Sequence, residues 1–169
     1  MTPAAAADLL ILARGGVADV DWRFLLPLDR AGAYAVQNAT LGRLGSTGGW
    51  KVGAKSPEVE PHCAPMPVAN LRKSGASLIG PQWRLRGVEM ELALRVARDL
   101  DTRRIRLTQA ALAVAFDAVL PVIEVVETRL PDWAGSDPLA KLADLQSHGA
   151  LVCGTPIALD SNFDRTILD

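Results

Sequence analysis

The chain is poor in cysteine, carries no surplus of either charge and has no long hydrophobic run. Each of these lacks removes a class of protein. The two cysteines, Cys63 and Cys153, lie far apart and fit no CxxC pattern. That leaves no disulfide framework and no zinc-ribbon spacing, and reads as reduced thiols of a cytoplasmic protein. Lys+Arg 18 against Asp+Glu 19 gives a formal charge of -1, so there is no basic surplus to draw in nucleic acid or an anionic membrane. Arginines recur from Arg84 to Arg106, but acids are mixed among them, as on a solvated surface. Met1 to Gly16 lacks a basic leading segment and its apolar part is short, which fits neither a signal peptide nor a membrane span. No internal repeat, low-complexity tract or linker divides the 169 residues. With 49% hydrophobic and 22% charged residues, the chain is expected to form one domain over 1–169 with its own core.

Thr2-Pro3 supplies a capping hydroxyl and a proline for a first helix from Ala4 to Ala13, which Gly15-Gly16 ends. After a connector from Asp19 to Pro27, helical spacing of Ala31, Tyr34, Ala35, Asn38 and Leu41 predicts a second helix over Asp29 to Leu44. Trp50 to Lys55 follows a glycine cluster and reads as a short strand, with Lys51 and Lys55 on one face and Gly53 between them. Lys51 there is either an exposed rim lysine or a residue that meets a ligand. Ser56 to Pro67 is dense in proline and excludes helix. His62 and Cys63 fall in this Pro-rich loop as an incidental pair rather than a ligand set. Val68 to Leu78 is expected to form a hairpin about Ser74-Gly75, and Leu85 to Leu100 a long strand whose later part, from Ala93, could equally be helical. Thr108 would cap a helix from Gln109 to Val119. The β-branched run of Pro121 to Thr128 predicts a strand, Leu139 to Gln146 a short helix, and Ala150 to Cys153 a short buried strand. The fold class is α+β: a helical region over about 1–45, then a β core over about 46–169.

Glu89 and Glu91 stand two positions apart in Gly87-Val88-Glu89-Met90-Glu91-Leu92-Ala93-Leu94. On a strand they share a face. Like charges crowded in a half-buried place repel and lose hydration, so the pair makes sense around a divalent cation, for which carboxylate oxygen is the preferred donor. A solvated strand face or a helix start is the alternative. Glu124 is a third carboxylate, flanked by valine and isoleucine. The roughly 30 residues between Glu91 and Glu124 allow a crossover that sets the two strands side by side. Three carboxylates with waters would make an octahedral site for Mg2+ or Mn2+.

Taken in order, Ala33-Tyr34-Ala35-Val36-Gln37, Gly49-Trp50-Lys51-Val52-Gly53, Val88-Glu89-Met90-Glu91-Leu92-Ala93 and the run from Pro121-Val122-Ile123-Glu124 into Arg129-Leu130-Pro131-Asp132-Trp133 resemble the fumarylacetoacetate hydrolase superfamily. The closest branch is that of the 2-keto-4-pentenoate hydratases and 4-oxalocrotonate decarboxylases. Leu142-Ala143-Asp144, His148-Gly149 and Leu151-Val152-Cys153-Gly154 continue the likeness in order. The resemblance implies N-terminal helices plus part of a mixed, barrel-like sheet. It also implies a Mg2+ or Mn2+ site on Glu89, Glu91 and Glu124, with Lys51 as acid/base or carboxylate partner. The substrate would be a small 2-keto or 2-hydroxy-dienoic acid, handled by a homo-oligomer in the breakdown of aromatic compounds. Hydration of a 2-hydroxy-2,4-dienoate is the leading expectation. Decarboxylation of a 4-oxalocrotonate-type acid, or C–C hydrolysis, is the alternative, since one electron sink serves both outcomes. His62 and His148 stand in no clear motif for the His-Glu dyad of the hydrolases. Arg129 either grips a substrate carboxylate through its fork or pairs with a local acid.

Two departures bear on the substrate. His62 to Pro67 replaces the family's Gly-x-Asp-x-Pro loop, and Ala143-Asp144-Leu145 replaces Ala-Asp-Asn. Family members also continue well past the position of Gly154. The chain is therefore expected to be a truncated product or a divergent subunit completed by a partner, and a non-catalytic subunit acting by assembly is a third reading. A half-made sheet exposes an edge.

Overall fold

A computed structural model describes residues 1–16, 18–25, 29–54, 56–101, 103, 106, 108, 111 and 114–159. Helix α1 (Pro3–Arg14) starts where the Thr2 hydroxyl accepts from the Ala5 amide, with proline in the first turn and Arg14 in the last. Helix α2 (Arg30–Leu44) is capped by Asp29, whose carboxylate accepts from the Gly32 amide, and ends at Gly45, whose φ of +103° an L side chain rarely adopts. Strands β1 (Thr47–Gly53) and β2 (His62–Pro67) form an antiparallel pair. A short 3-10 turn leads into β3 (Leu71–Lys73). Strands β4 (Gly87–Val96) and β5 (Phe116–Val126) follow, then α3 (Pro138–Ala143), β6 (His148–Cys153) and β7 (Ile157–Ala158). The second sheet runs β3-β6-β5-β4, with β7 also on β5. β3 is parallel to β6 and the other pairs are antiparallel, so the sheet is mixed and the class is α+β. No closed barrel is formed by the described residues.

The main core lies among the helices. Leu10, Ala6 and Ala13 of α1 meet Ala33 and Val36 of α2, Leu142 and Ala143 of α3, and Leu130 from the chain after β5. A smaller cluster of Met66, Val122 and Leu151 joins the β1-β2 pair to the five-stranded sheet. Burying one such leucine or valine stabilises by roughly 1.5–3 kcal/mol. The second cluster packs on β5 and β6 from one side. The opposite face of β4 carries Val88, Met90, Leu92, Leu94 and Val96, all exposed. Among the described residues no helix is long and apolar enough to cross a membrane.

Four expectations are corrected. The hairpin over Val68 to Leu78 does not form: β3 pairs in parallel with β6, far away in sequence, and a turn from Lys73 to Ala76 follows it. The helix expected to run to Val119 gives way to β5 from Phe116 onward. Ala118 and Val119 pair there with Arg95 and Leu94, so the ladder overrides the helix preference of an alanine-rich run. Thr108 does accept from the Ala111 amide at 3.1 Å, while residues 109–110 and 112–113 lie outside the described residues, as does Lys55. His62 and Cys63 belong to β2, paired with Gly53 and Val52, rather than to a loop. β4 stays a strand to Val96, so the segment from Ala93 is not helical as far as that residue.

Candidate metal centre

β4 and β5 pair antiparallel, not as the parallel strands that a crossover would join, and their register sets Glu89 directly opposite Glu124, and Glu91 opposite Val122. Alternation then puts all three glutamates on the face that looks toward the β1-β2 pair. One carboxylate oxygen from each lies within 4.8 Å of the other two. Glu89 and Glu91 are exposed, whereas Glu124 is fully buried. Partial burial pushes the Glu91 carboxyl above its usual range. The charge of Glu124 adds to this, Lys51 opposes it, and Glu89 adds least. An unaccompanied charge at Glu91 is therefore less favourable than on a free carboxylate, and a cation beside it would offset that cost.

A buried carboxylate needs partners, and two reach Glu124. Lys51, on β1, places Nζ 2.7 Å from both carboxylate oxygens, but only Oε1 is aligned to accept the hydrogen bond. The same ammonium donates to the Gln146 carbonyl at 3.3 Å. His148, at the start of β6, brings Nδ1 to 3.1 Å from Oε1. Oε2 is buried with no hydrogen bond. Burial alone would raise the Glu124 carboxyl. The His148 hydrogen bond and the charge and hydrogen bond of Lys51 outweigh it, and the group is held below the ordinary carboxylate range. Burial lowers the His148 imidazole, with Glu124 opposing only in part, so it is neutral at pH 7.

The donor set fits a hard divalent cation. Three carboxylates converge, the buried one offers an oxygen without a hydrogen bond, and the two exposed ones open toward solvent, where water or a ligand could complete a shell. A hollow of about 580 Å3 lies on the other side of the sheet, lined by Met90, Leu92, Ile123 and Val152, and it touches this cluster only through Glu91. The acidic cluster, not that hollow, holds the polar groups able to do chemistry.

Arg129 takes the second of its two readings. Its Nε is 2.7 Å from Asp144 Oδ1, another guanidinium nitrogen donates to the Asp144 carbonyl, and the side chain is buried. Arg14 reaches the same carboxylate at 3.4 Å. Burial, with the charge of Arg129 adding, lowers the Arg14 guanidinium to about 9, and Asp144 opposes. This ion cluster ties α1 to the chain after β5. Glu127, also buried, accepts from the backbone amides of Arg84, Leu85 and Thr128 and so fixes the entry to β4.

His148 is the residue that reading the sequence left without a role. The available signal was Gly149 beside it, since an isolated glycine in a strand marks a bulge. The β5–β6 register indeed shifts there, from Val125↔Ala150 to Val126↔His148.

No family model and no curated protein matches the chain. Solved structures do match. One is 4-oxalocrotonate decarboxylase from Pseudomonas putida G7 complexed with magnesium and adipate, at TM-score 0.72 and 19% identity, over 93% of this chain and 64% of that one. Another is the same enzyme complexed with calcium and acetate, at TM-score 0.78 and 20% identity, over 94% and 64%. The chain has the fold of the matched part of those structures and spans 64% of their length.

Proposed function

We propose that this chain carries the metal-dependent site of an enzyme of the fumarylacetoacetate hydrolase superfamily, acting as a hydratase on a 2-hydroxy-2,4-dienoate. The convergence of Glu89, Glu91 and Glu124 within 4.8 Å beside Lys51 carries the reading. The three glutamates would hold Mg2+ or Mn2+. When bound, such an ion supplies Lewis-acid stabilisation of the negative charge that develops at the 2-oxo position of the substrate. Lys51 is the proton carrier in this reading. Its ammonium sits at the inner edge of the cluster on a part-buried side chain, where it can deliver a proton to a substrate carbon or bind the substrate carboxylate. Glu124 and the Gln146 carbonyl hold the ammonium in place. Arg129, engaged by Asp144, has no substrate role in this reading.

Decarboxylation of a 4-oxalocrotonate-type acid is the second reading, supported by the identity of the matched structures. Calorimetry with Mg2+ and Mn2+ comes first, and saturable binding is expected. The protein is then incubated with 2-hydroxypenta-2,4-dienoate and, separately, with 4-oxalocrotonate. Metal-dependent loss of dienoate absorbance without CO2 is the expected result. Turnover of 4-oxalocrotonate alone, with CO2 release, would transfer the assignment to the decarboxylase. Absence of metal binding would leave only a subunit acting by assembly.

A further inference from the structure

The chain just before β6 departs from ordinary backbone geometry beside the acidic cluster. Leu145, Gln146 and Ser147 all have positive φ, at 52°, 49° and 58°. Three consecutive non-glycine residues in the left-handed region cost roughly 1–2 kcal/mol each. Such strain persists only where surrounding structure over-determines it. Here the turn delivers two groups to the cluster. It aims the Gln146 carbonyl at Lys51, and it starts β6 at His148.

A bulge then decides which face His148 takes. With a regular ladder, Glu124↔Leu151 and Val125↔Ala150 would be followed by Val126↔Gly149. Instead Val126 pairs with His148, and Gly149 is the extra residue. Val126 lies two residues from Glu124, so its partner His148 comes onto the glutamate's face. Only glycine fits the bulge. A Cβ at position 149 would stand 2.5 Å from the Val125 carbonyl oxygen and 2.7 Å from the Glu127 Cβ. His148 is fully buried, its Nδ1 meets Glu124 Oε1, and its Nε2 has no hydrogen bond. That pattern selects the tautomer with the proton on Nδ1. A bare Nε2 lone pair is then left in the interior rather than an unpaired N–H, and Nδ1–H is a fixed donor.

We infer that His148 is a positioning residue for the metal centre: placed by the left-handed turn and the Gly149 bulge, it binds Oε1 of Glu124 and leaves Oε2, which has no hydrogen bond but lies 2.7 Å from Lys51 Nζ, for the cation to share with that ammonium. The inference rests on the metal reading above and assigns the outer partner that orients a ligand carboxylate, an arrangement whose loss elsewhere costs 10- to 100-fold in metal affinity.

The test is Mn2+ affinity of the full chain by electron paramagnetic resonance, with circular dichroism to verify folding. His148→Asn keeps an N–H near the Nδ1 position, His148→Gln moves it outward, and His148→Leu removes it. The expected result is a loss of about 10- to 100-fold for Leu, a comparable loss for Gln, and an affinity within a few-fold of wild type for Asn. If Leu fails to fold, the Asn and Gln pair carries the comparison. Equal affinity across folded variants, or Asn no better than Gln, would overturn the positioning role. A wild type that binds no Mn2+ overturns the metal reading itself and removes the basis of the inference.

Discussion

Glu124→Gln is expected to abolish Mg2+ binding, with an affinity loss of at least about 100-fold by calorimetry. Glu124 is the one carboxylate of the three that is fully buried, and it has an oxygen without a hydrogen bond. An amide keeps the shape, removes the charge and leaves Lys51 facing a neutral group. Breaking this part-buried pair should also lower stability by about 2–4 kcal/mol, read from a urea titration without metal. Glu127→Gln is the control. That carboxylate is equally enclosed but is held by backbone amides, so the substitution should cost stability and spare Mg2+ affinity. Equal effects of the two variants on Mg2+ would show that the loss at Glu124 is a folding defect. Glu91 sets the pH dependence. Its carboxyl is raised by burial and by Glu124, and it must lose its proton to bind a cation. Affinity should therefore begin to fall on acidification above the ordinary carboxylate range.

The parts of this site that follow the two-residue period were readable in advance. Glu89 and Glu91 share a face because they are two apart, and the β-branched run around Glu124 carries the strongest strand signal in the chain. What the sequence could not supply was set by contacts between distant segments. β3 pairs with β6 across about 80 residues of chain, and nothing local in Leu71-Arg72-Lys73 names that partner. Phe116 to Val119 follows an alanine-rich run with helical preference, yet Asp117 pairs with Arg95 and Ala118 is buried against the sheet. Arg129 had a carboxylate partner fifteen positions on, in Asp144, behind a helix whose packing decides whether the two meet. The role of His148 depends on a one-residue slip in the ladder. Read as a regular strand, that histidine would point away from Glu124.

Lys51→Met should separate cation binding from chemistry. Removing a positioned proton carrier typically costs 10²–10⁴ in rate, so metal-dependent turnover of the dienoate should drop by about that factor. Mg2+ affinity should move the other way. The Lys51 ammonium stands 2.7 Å from both oxygens of Glu124, where a dication bound to that carboxylate must share the same negative charge. Methionine fills similar space without competing, so the dissociation constant should fall by several-fold on charge alone. Stability supplies an independent reading. Without metal, Glu124 loses its cationic partner and the variant should melt below wild type. Saturating Mg2+ replaces that partner and should raise the melting temperature of Lys51→Met more than that of wild type, since a ligand that binds only the folded state stabilises by an amount that grows with the logarithm of its affinity. Weaker Mg2+ binding in the variant would mean that the ammonium helps to build the site rather than contesting it. Unchanged turnover would take the proton from Lys51 and give it to another group.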